Sequence, residues 1–339
     1  MRSNGLRKHG FLGAIMSKFL KRAGIAVLVV VALLGIGFMV IHRGPIPYAT
    51  LEARYASPAS RWMDLPGGVR VHYRDEGKRD GSVLVLVHGF SDSTATWNGW
   101  IERLGGDYRI ISLDLPGHGL TRAPPTYEGG SAAYAELVAQ VASRLGAPRF
   151  AIAGNSMGGG VAWTLALKHP ERLTALVLVD AAGWPERSAS GKTPLAFQLL
   201  RTEWGRQLLS QIDLKPIIAE GMKKAFYDPA KADASIVERF ADMSRAPDHA
   251  AVIMRMQTAP RTPATVAQLA TIHIPTLVMH GEGDNLIPAD NGRRFAAAIP
   301  GAKLIIYPRV GHTPQMEIPE RSAADLAAFL KTNGLGPRQ

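Results

Sequence analysis

Short apolar runs that alternate with helix-like segments constrain the fold of this chain more than any other feature of its sequence. Each run is almost uninterrupted by polar residues, which is typical of a strand buried on both faces of a parallel sheet. Segments with helical apolar spacing lie between the runs, among them 132–145 and 157–168. This order predicts an α/β fold, with a mainly parallel sheet that is flanked by helices. The runs are SVLVLV, YRIISL, FAIAG, LTALVLV, IPTLVMHG and AKLIIYP.

The polar residues that could carry chemistry follow the ends of these predicted strands. Parallel strands end at the same edge of a sheet, and ligands of α/β folds bind at that edge. We therefore expect these side chains to lie close to one another. They are His88, Asp114, Ser156, Asp180, Asp284 and His312.

The stretch FAIAGNSMGGGVAWTLAL places Ser156 on a predicted turn between a strand and a helix. Ser156 stands between Gly154 and Gly158, in the pattern G-x-S-x-G that is typical of a nucleophile elbow. On so sharp a turn the hydroxyl projects into open space, and the residues two before and two after it crowd each other. The helix that begins at Met157 directs free N–H groups toward the serine, where they can stabilise a developing oxyanion.

A serine hydroxyl is a weak nucleophile, so it needs a base that is itself held by an acid. His312, in RVGHTPQMEIPE, follows the last predicted strand, and Asp284, in HGEGDNLIP, follows the preceding one. The chain order Ser156, Asp284, His312 is the order expected for this fold. The backbone N–H of Phe90, in the loop after the first core strand, is the candidate second oxyanion donor. Asp180 is a rival for the acid, although GEGDNLIP fits the common pattern better.

Five stretches of the chain resemble the α/β-hydrolase fold superfamily: LVLVHGF, LDLPGHG, GNSMGGG, VMHGEGDNLIP and VGHTPQMEIPE. The resemblance covers essentially all of 61–330 and is closest to membrane-anchored bacterial serine carboxylesterases and lipases. It implies a nucleophile, a base, an acid and two oxyanion-hole donors. These are, in that order, Ser156, His312, Asp284, and the backbone N–H groups of Phe90 and Met157.

The other polar motifs favour structural roles over chemistry. We interpret His88, His118, Asp114 and His280 as residues that hold loops or strand ends. The histidines show no H-E-x-x-H spacing and no G-x-G-x-x-G follows the first core strand, so we expect neither a metal nor a dinucleotide cofactor. Cysteine is absent, which excludes disulfides, thiolate metal sites and a cysteine nucleophile.

Hydrolysis of a carboxylic ester with an apolar acyl group, through an acyl-enzyme, is the reaction that we expect. A serine at the elbow disfavours the dehalogenases and epoxide hydrolases of the superfamily, which use a carboxylate. Two alternatives remain: carbon–carbon bond hydrolases of aromatic ring-cleavage products, which share the motif GNSMGG, and cofactor-free haloperoxidases or perhydrolases, which share SMGGG. The carbon–carbon hydrolases have a more glycine-rich oxyanion loop than HGFSDST and typically carry tryptophan where this chain has Thr313. A non-catalytic binding protein is a remote alternative, because such proteins usually lose a triad member.

The stretch AGIAVLVVVALLGIGFMVI, at 23–41, contains no charged residue and would span roughly 28 Å as a helix. It predicts a transmembrane anchor. The basic segment 1–22 before it favours a cytoplasmic N-terminus, with the catalytic domain on the periplasmic side of a bacterial inner membrane. A cleaved signal peptide is the alternative, but its apolar region is usually shorter and ends at a small-x-small site, whereas HRGP follows here.

The remaining boundaries follow from these elements. We expect a linker at 42–60, a hydrolase core at 61–183 and 273–339, and a helical cap at 184–272, where no strand pattern occurs. The net charge of +11 lies mostly in the segment before residue 44, which contains no acid. The folded body is therefore only weakly basic, which argues against a nucleic-acid partner.

Overall fold

A computed structural model describes most of the chain. Part of the predicted basic segment (1–4) and parts of the predicted cap (185–197, 200–201, 203, 206–211 and 260–261) lie outside the described residues. The chain divides into two compact units, one of residues 1–44 with 211–213 and one of residues 45–210 with 214–339. The described residues are 5–184, 198–199, 202, 204–205, 212–259 and 262–336.

The first unit contains a long helix, α1 (Gly5–Ile41). Within it, Leu20–Met39 is long and apolar enough to cross a membrane by length and composition, and none of this window is buried. The predicted apolar segment 23–41 is thus helical, as a spanning segment must be to satisfy its own backbone. A signal sequence near an N-terminus can meet the same criteria of length and composition.

The second unit is built on an eight-stranded sheet with the order β1-β2-β4-β3-β5-β6-β7-β8. The pairs β1–β2 and β2–β4 are antiparallel, and every other pair is parallel, so the predicted mainly parallel sheet is confirmed. The strands are β1 (Ser60–Leu65), β2 (Val69–Gly77), β3 (Ser82–Val87), β4 (Tyr108–Leu113), β5 (Phe150–Asn155), β6 (Leu173–Val179), β7 (Thr276–Gly281) and β8 (Lys303–Tyr307).

Helices cover both faces of this sheet, as predicted. After α1, the described α-helices are α2 (Tyr48–Tyr55), α3 (Asn98–Leu104), α4 (Ser131–Arg144), α5 (Met157–Lys168), α6 (Lys215–Ala225), α7 (Ala234–Met243), α8 (His249–Thr258), α9 (Val266–Leu269), α10 (Ala289–Ala298), α11 (Pro314–Glu317) and α12 (Pro319–Thr332). One buried cluster contains side chains of α4, α5 and α10, and a second, on the opposite face, contains side chains of α3 and α12.

The prediction of a linker at 42–60, with folding from about residue 61, is wrong beyond residue 44. Helix α2 lies in this stretch, and Pro47 directly precedes it, where its fixed φ suits a helix start. Leu51 is fully buried and belongs to a cluster with Leu120 and Met243. The prolines were interpreted as a tether because the partners that bury α2 lie far along the sequence.

The interval between β6 and β7 holds α6, α7, α8 and α9, and its described residues contain no strand. Helices α6 and α7 form a small apolar cluster of their own. Asp233 caps α7, since its carboxylate accepts from the N–H groups of Ser235 and Ile236. The described part of this interval is therefore helical, as the sequence suggests.

Candidate functional site

Ser156 sits on the turn between β5 and α5, with φ 53° and ψ −116°. A Cβ atom added to Gly154 would lie 2.1 Å from the carbonyl oxygen of Gly158, and one added to Gly158 would lie 2.1 Å from that of Val87. Neither position can accept a side chain without moving backbone. The turn that holds Ser156 thus depends on both glycines, which is the steric reason for the G-x-S-x-G pattern.

The two following glycines differ from each other. A Cβ on Gly159 would lie 2.5 Å from that of Ala181, just after β6, so helix α5 packs too closely there for any side chain. A Cβ on Gly160 would meet nothing closer than the Ser131 hydroxyl at 3.4 Å, an ordinary contact. Close packing therefore accounts for Gly159 only.

The loop after β3 reaches Ser156 directly. A Cβ on Gly89 would lie 3.2 Å from that of Ser156 and 3.1 Å from Oδ1 of Asn155. Phe90 follows Gly89, and Met157 is the first residue of α5. Of the two residues predicted to donate to an oxyanion, Phe90 therefore follows a glycine that lies beside Ser156, and Met157 follows Ser156 in the chain.

His88 holds this loop. Its Nδ1 is 2.7 Å from the carbonyl oxygen of Gly89, and the backbone N–H of Leu115 donates to its Nε2 at 3.0 Å. A carbonyl oxygen can only accept and an amide can only donate, so Nδ1 carries the proton and the ring is neutral. The predicted structural role of His88 is confirmed.

Asp284 and His312 are in direct contact. Oδ2 of Asp284 lies 2.6 Å from Nδ1 of His312, and Oδ1 accepts from the backbone N–H groups of Leu286 and Ile287 at 2.7 and 2.9 Å. Burial alone would raise the pKa of Asp284, but His312 and His280 outweigh burial and hold this pKa below its ordinary value. An ionised carboxylate here fixes the imidazole so that Nδ1 donates and Nε2 is free to act.

His312 is anchored at its backbone as well. Its N–H donates to the carbonyl oxygen of Ala225, at the end of α6, at 2.6 Å, and its own carbonyl oxygen accepts from Nδ2 of Asn155 at 3.1 Å. Asn155 directly precedes Ser156, so one residue ties the serine turn to the histidine loop. Asn155 was assigned no role from the sequence. Its place in GNS, directly before Ser156, was the signal that it could take part in the site.

Glu317 is a second residue without an assigned role in the sequence analysis. Its buried carboxylate accepts from the backbone N–H groups of Gly311 at 2.8 Å and of Tyr227 at 2.9 Å. It therefore joins the loop before His312 to the segment after α6. A glutamate between apolar residues, in MEIP at 316–319, was the signal for this contact.

The Ser156 hydroxyl makes no hydrogen bond to any described residue, and the side chain is half-buried. Asn155 and Gly89 hold Ser156 close to the histidine loop and to the oxyanion loop. Hydrogen bonds between catalytic groups are often long before a substrate binds and shorten in the complex. The turn that carries Ser156 is thus bonded, through Asn155, to the loop that carries His312.

A second carboxyl group, Asp180, lies beside this pair. The coordinating-type atoms of Asp180, Asp284 and His312 are all within 4.8 Å of one another. Nε2 of His280 is 3.5 Å from Oδ1 of Asp180 and 3.4 Å from Oδ2 of Asp284. The contact between His280 and the acid was not anticipated, although the spacing H-x-x-x-D at a strand end is visible in the sequence.

The two carboxyl groups have opposite pKa shifts. Burial raises the pKa of Asp180 well above its ordinary value, and the charge of Asp284 adds to this effect. Two titratable groups with pKa values pushed apart have separate roles. The surroundings of Asp284, beside His312, therefore favour its charged form, and those of Asp180 favour its neutral form.

The remaining predictions of structural roles hold. The carboxylate of Asp114 accepts from the backbone N–H groups of Thr94 and Leu120, each at 2.7 Å, and so fixes the loops after β3 and β4. His118 is buried, its Nδ1 donates to the carbonyl oxygen of Pro116 at 3.1 Å, and its ring packs edge-on against Phe90.

Comparison with known proteins agrees with this architecture. The family model of the alpha/beta hydrolase fold matches residues 82–319. A 2-hydroxy-6-oxononadienedioate/2-hydroxy-6-oxononatrienedioate hydrolase of Burkholderia vietnamiensis is 31% identical over 275 residues, covering 78% of this chain and 91% of that protein. A pimeloyl-[acyl-carrier protein] methyl ester esterase of Nitrosomonas europaea is 28% identical over 271 residues, covering 74% and 96%.

Among solved structures, a thermophilic esterase from Thermogutta terrifontis is 27% identical, with a TM-score of 0.68, covering 81% of this chain and 98% of that chain. The chain belongs to the α/β-hydrolase fold family. The relatives named above are all hydrolases, and both carbon–carbon bond and ester hydrolases occur among them.

Proposed function

We propose that the protein is a serine hydrolase in which Ser156 is the nucleophile, His312 the base and Asp284 the acid. The observation that carries the proposal is the 2.6 Å contact between Asp284 and His312. It occurs beside a serine held on a strained turn at a helix N-terminus. This combination supplies the three groups that covalent catalysis by serine requires.

In the proposed mechanism, Nε2 of His312 takes the proton of the Ser156 hydroxyl as the oxygen attacks the substrate carbonyl carbon. The oxyanion forms between the backbone N–H groups of Phe90 and Met157, with the positive end of the α5 dipole behind it. The imidazolium then protonates the leaving alcohol, and an acyl-Ser156 remains. Water, deprotonated by His312, releases the acid by the reverse sequence.

For the substrate we propose a carboxylic ester with an apolar acyl group. Thr313 after the histidine and the oxyanion loop HGFSDST, poor in glycine, support this choice. Similarity to ester-cleaving relatives supports it too. The helices between β6 and β7 serve as a cap, because Ala225 at the end of α6 is bonded to His312.

A carbon–carbon bond hydrolase is the second candidate. The curated relatives favour it over the ester hydrolase, since several of them are named as hydrolases of dienoate ring-cleavage products. The same three residues would serve this reaction, so only the substrate distinguishes the two candidates.

We also propose that α1 is an uncleaved anchor in a bacterial inner membrane, with the basic N-terminal residues in the cytoplasm and the hydrolase unit on the periplasmic side. The 20-residue apolar window supports it. A membrane-bound hydrolase would meet esters with apolar acyl chains at the lipid surface.

The test uses the full chain, purified in detergent. We expect a fluorophosphonate probe to label Ser156, and p-nitrophenyl esters of graded acyl length to be hydrolysed. Turnover of a ring-cleavage dienoate without turnover of any ester would select the second candidate. Absence of both label and turnover would refute the serine hydrolase itself.

A further inference from the structure

A second serine–histidine–aspartate arrangement lies outside the Ser156 site. Oγ of Ser60, at the start of β1, is 2.8 Å from Nε2 of His72 on β2. Nδ1 of the same imidazole is 2.7 Å from Oδ2 of Asp114, just after β4. All three side chains are buried.

The hydrogen bonds around this group determine which of its atoms donate and which accept. Asp114 accepts from backbone N–H groups at both oxygens, and its pKa, despite burial, is lowered to about 2, chiefly by His72. The ionised carboxylate can only accept, so Nδ1 of His72 is the donor to Asp114, and Nε2 of the ring faces the Ser60 hydroxyl. The backbone N–H of Ser57 donates to Oγ of Ser60 at 3.0 Å, which leaves the hydroxyl hydrogen for Nε2.

The group lines a cavity of about 290 Å³. None of the described residues that line it belongs to the Ser156 site. Ser93 also lines the cavity, is 2% exposed, and its hydroxyl has no hydrogen-bond partner within the described part of the chain. Pockets for drug-sized ligands measure roughly 300–1,000 Å³, so this one suits a smaller molecule.

We propose that Ser60, His72 and Asp114 form a second nucleophilic centre, which accepts the acyl group of a small carboxylic ester. The Ser60 oxygen bonds to the carbonyl carbon while Nε2 of His72 takes the hydroxyl proton. The bond to the leaving alkoxy group then breaks, and that oxygen takes the proton from His72. The products are the free alcohol and acyl-Ser60. The unpaired Ser93 hydroxyl, which lines the same cavity, is the candidate donor to the oxyanion.

A role in holding loops explains the hydrogen bonds of Asp114 to backbone. That role requires neither a serine bonded to the imidazole of His72 nor a cavity beside the imidazole. The regular backbone of β1 and the single oxyanion candidate make Ser60 a slower nucleophile than Ser156. A label on Ser60 is therefore best sought after Ser156 has been removed.

The experiment treats the full chain in detergent with a small alkyl fluorophosphonate. Trypsin releases Ser60 in the peptide YASPASR, residues 55–61, which also contains Ser57, and fragmentation separates the two serines. We expect the Ser156→Ala variant to be labelled on Ser60. The double variant with Ser60→Ala should lose at least about tenfold of this label, whereas the matched double variant with Ser57→Ala should keep it.

A second measurement does not depend on the fluorophosphonate. The chain has no cysteine, so Ser60→Cys and Ser57→Cys each introduce a unique thiol. Beside the imidazole, the thiol of Ser60→Cys should be alkylated by iodoacetamide about tenfold faster than that of Ser57→Cys. Absence of label on Ser60 in the Ser156→Ala variant, or equal or slower alkylation of Ser60→Cys, would overturn the proposal. Neither result depends on the role of Ser156.

Discussion

The two serine–histidine–aspartate groups of this protein have similar contacts at their aspartate and differ in the backbone and hydrogen bonding of their serine. Asp284 and Asp114 are both buried, and each accepts two backbone N–H groups and one imidazole. Ser60 lies in a regular strand, already bonded to its imidazole. Ser156 lies on a turn with positive φ, makes no side-chain hydrogen bond among the described residues, and faces a helix N-terminus.

The two groups share the contact between a histidine and a buried aspartate, and they differ in the backbone that carries the serine. An imidazole held by a buried carboxylate arises in this fold wherever loops at the strand ends need an anchor. Of the two serines, Ser156 is the one that lies on a turn with positive φ and at a helix N-terminus, and the one for which we propose two oxyanion donors. Stabilisation of the oxyanion is usually the largest single contribution to such catalysis, so Ser156 should dominate the activity.

The largest expected effect is that of Ser156→Ala, which removes the proposed nucleophile. We expect ester turnover to fall by at least about 10³-fold, with the melting temperature nearly unchanged. Ser143→Ala, which changes an exposed serine on α4 that belongs to neither proposed site, is the control and should keep full turnover. If the ester turnover of Ser156→Ala stays within tenfold of that of the parent, Ser156 is not the nucleophile.

The next effect distinguishes the two carboxyl groups beside His312. Asp284→Asn keeps the shape but removes the charge that orients the imidazole, and we expect kcat to fall by about 10³-fold. Asp180→Asn changes a group whose burial raises its pKa and favours the neutral form, so it should cost less than about tenfold. The measurement is kcat for one ester across the parent and both variants. A larger loss in Asp180→Asn would reverse the assignment of the acid.

The serine turn can also be tested through stability, with two neighbouring glycines. Gly158→Ala forces a Cβ to 2.1 Å from a backbone oxygen, and we expect a loss of roughly 3 kcal/mol or more, or failure to fold. Gly160→Ala has room and replaces a helix-breaking residue, so it should be neutral or stabilise by up to about 1 kcal/mol. Thermal unfolding measures both. Equal effects of the two substitutions would contradict the steric account of the turn.

Local sequence patterns predicted the parts of the molecule that depend on local physics. Strands β3 to β8, helix α5 and the glycines around Ser156 follow from apolar runs and from steric crowding within five residues. Helix α2 was missed because Leu51 is buried by Leu120 and Met243, which no local pattern connects to it.

The same limit applies at the site. The order along the chain predicted that Asp284 and His312 would meet, since both follow neighbouring strands. Two other contacts depend on how separate loops are placed in space. They are the hydrogen bond from Asn155 to the His312 carbonyl oxygen and the position of His280 between two carboxyl groups. Contacts of this kind become visible only when the strand ends are placed in space.

The smallest expected effect concerns Asp114 and the pH dependence of folding. Its pKa is about 2 in the folded chain against 3.8 ordinarily, so the folded state favours the ionised form. The resulting stabilisation, about 2 kcal/mol, is fully present above roughly pH 4 and is lost as the pH falls toward 2. The difference in melting temperature between the parent and Asp114→Asn should therefore be greatest near neutral pH and shrink in acid. A difference that does not change with pH would mean that the charge of Asp114 contributes nothing to the second group, which would then be held by shape alone.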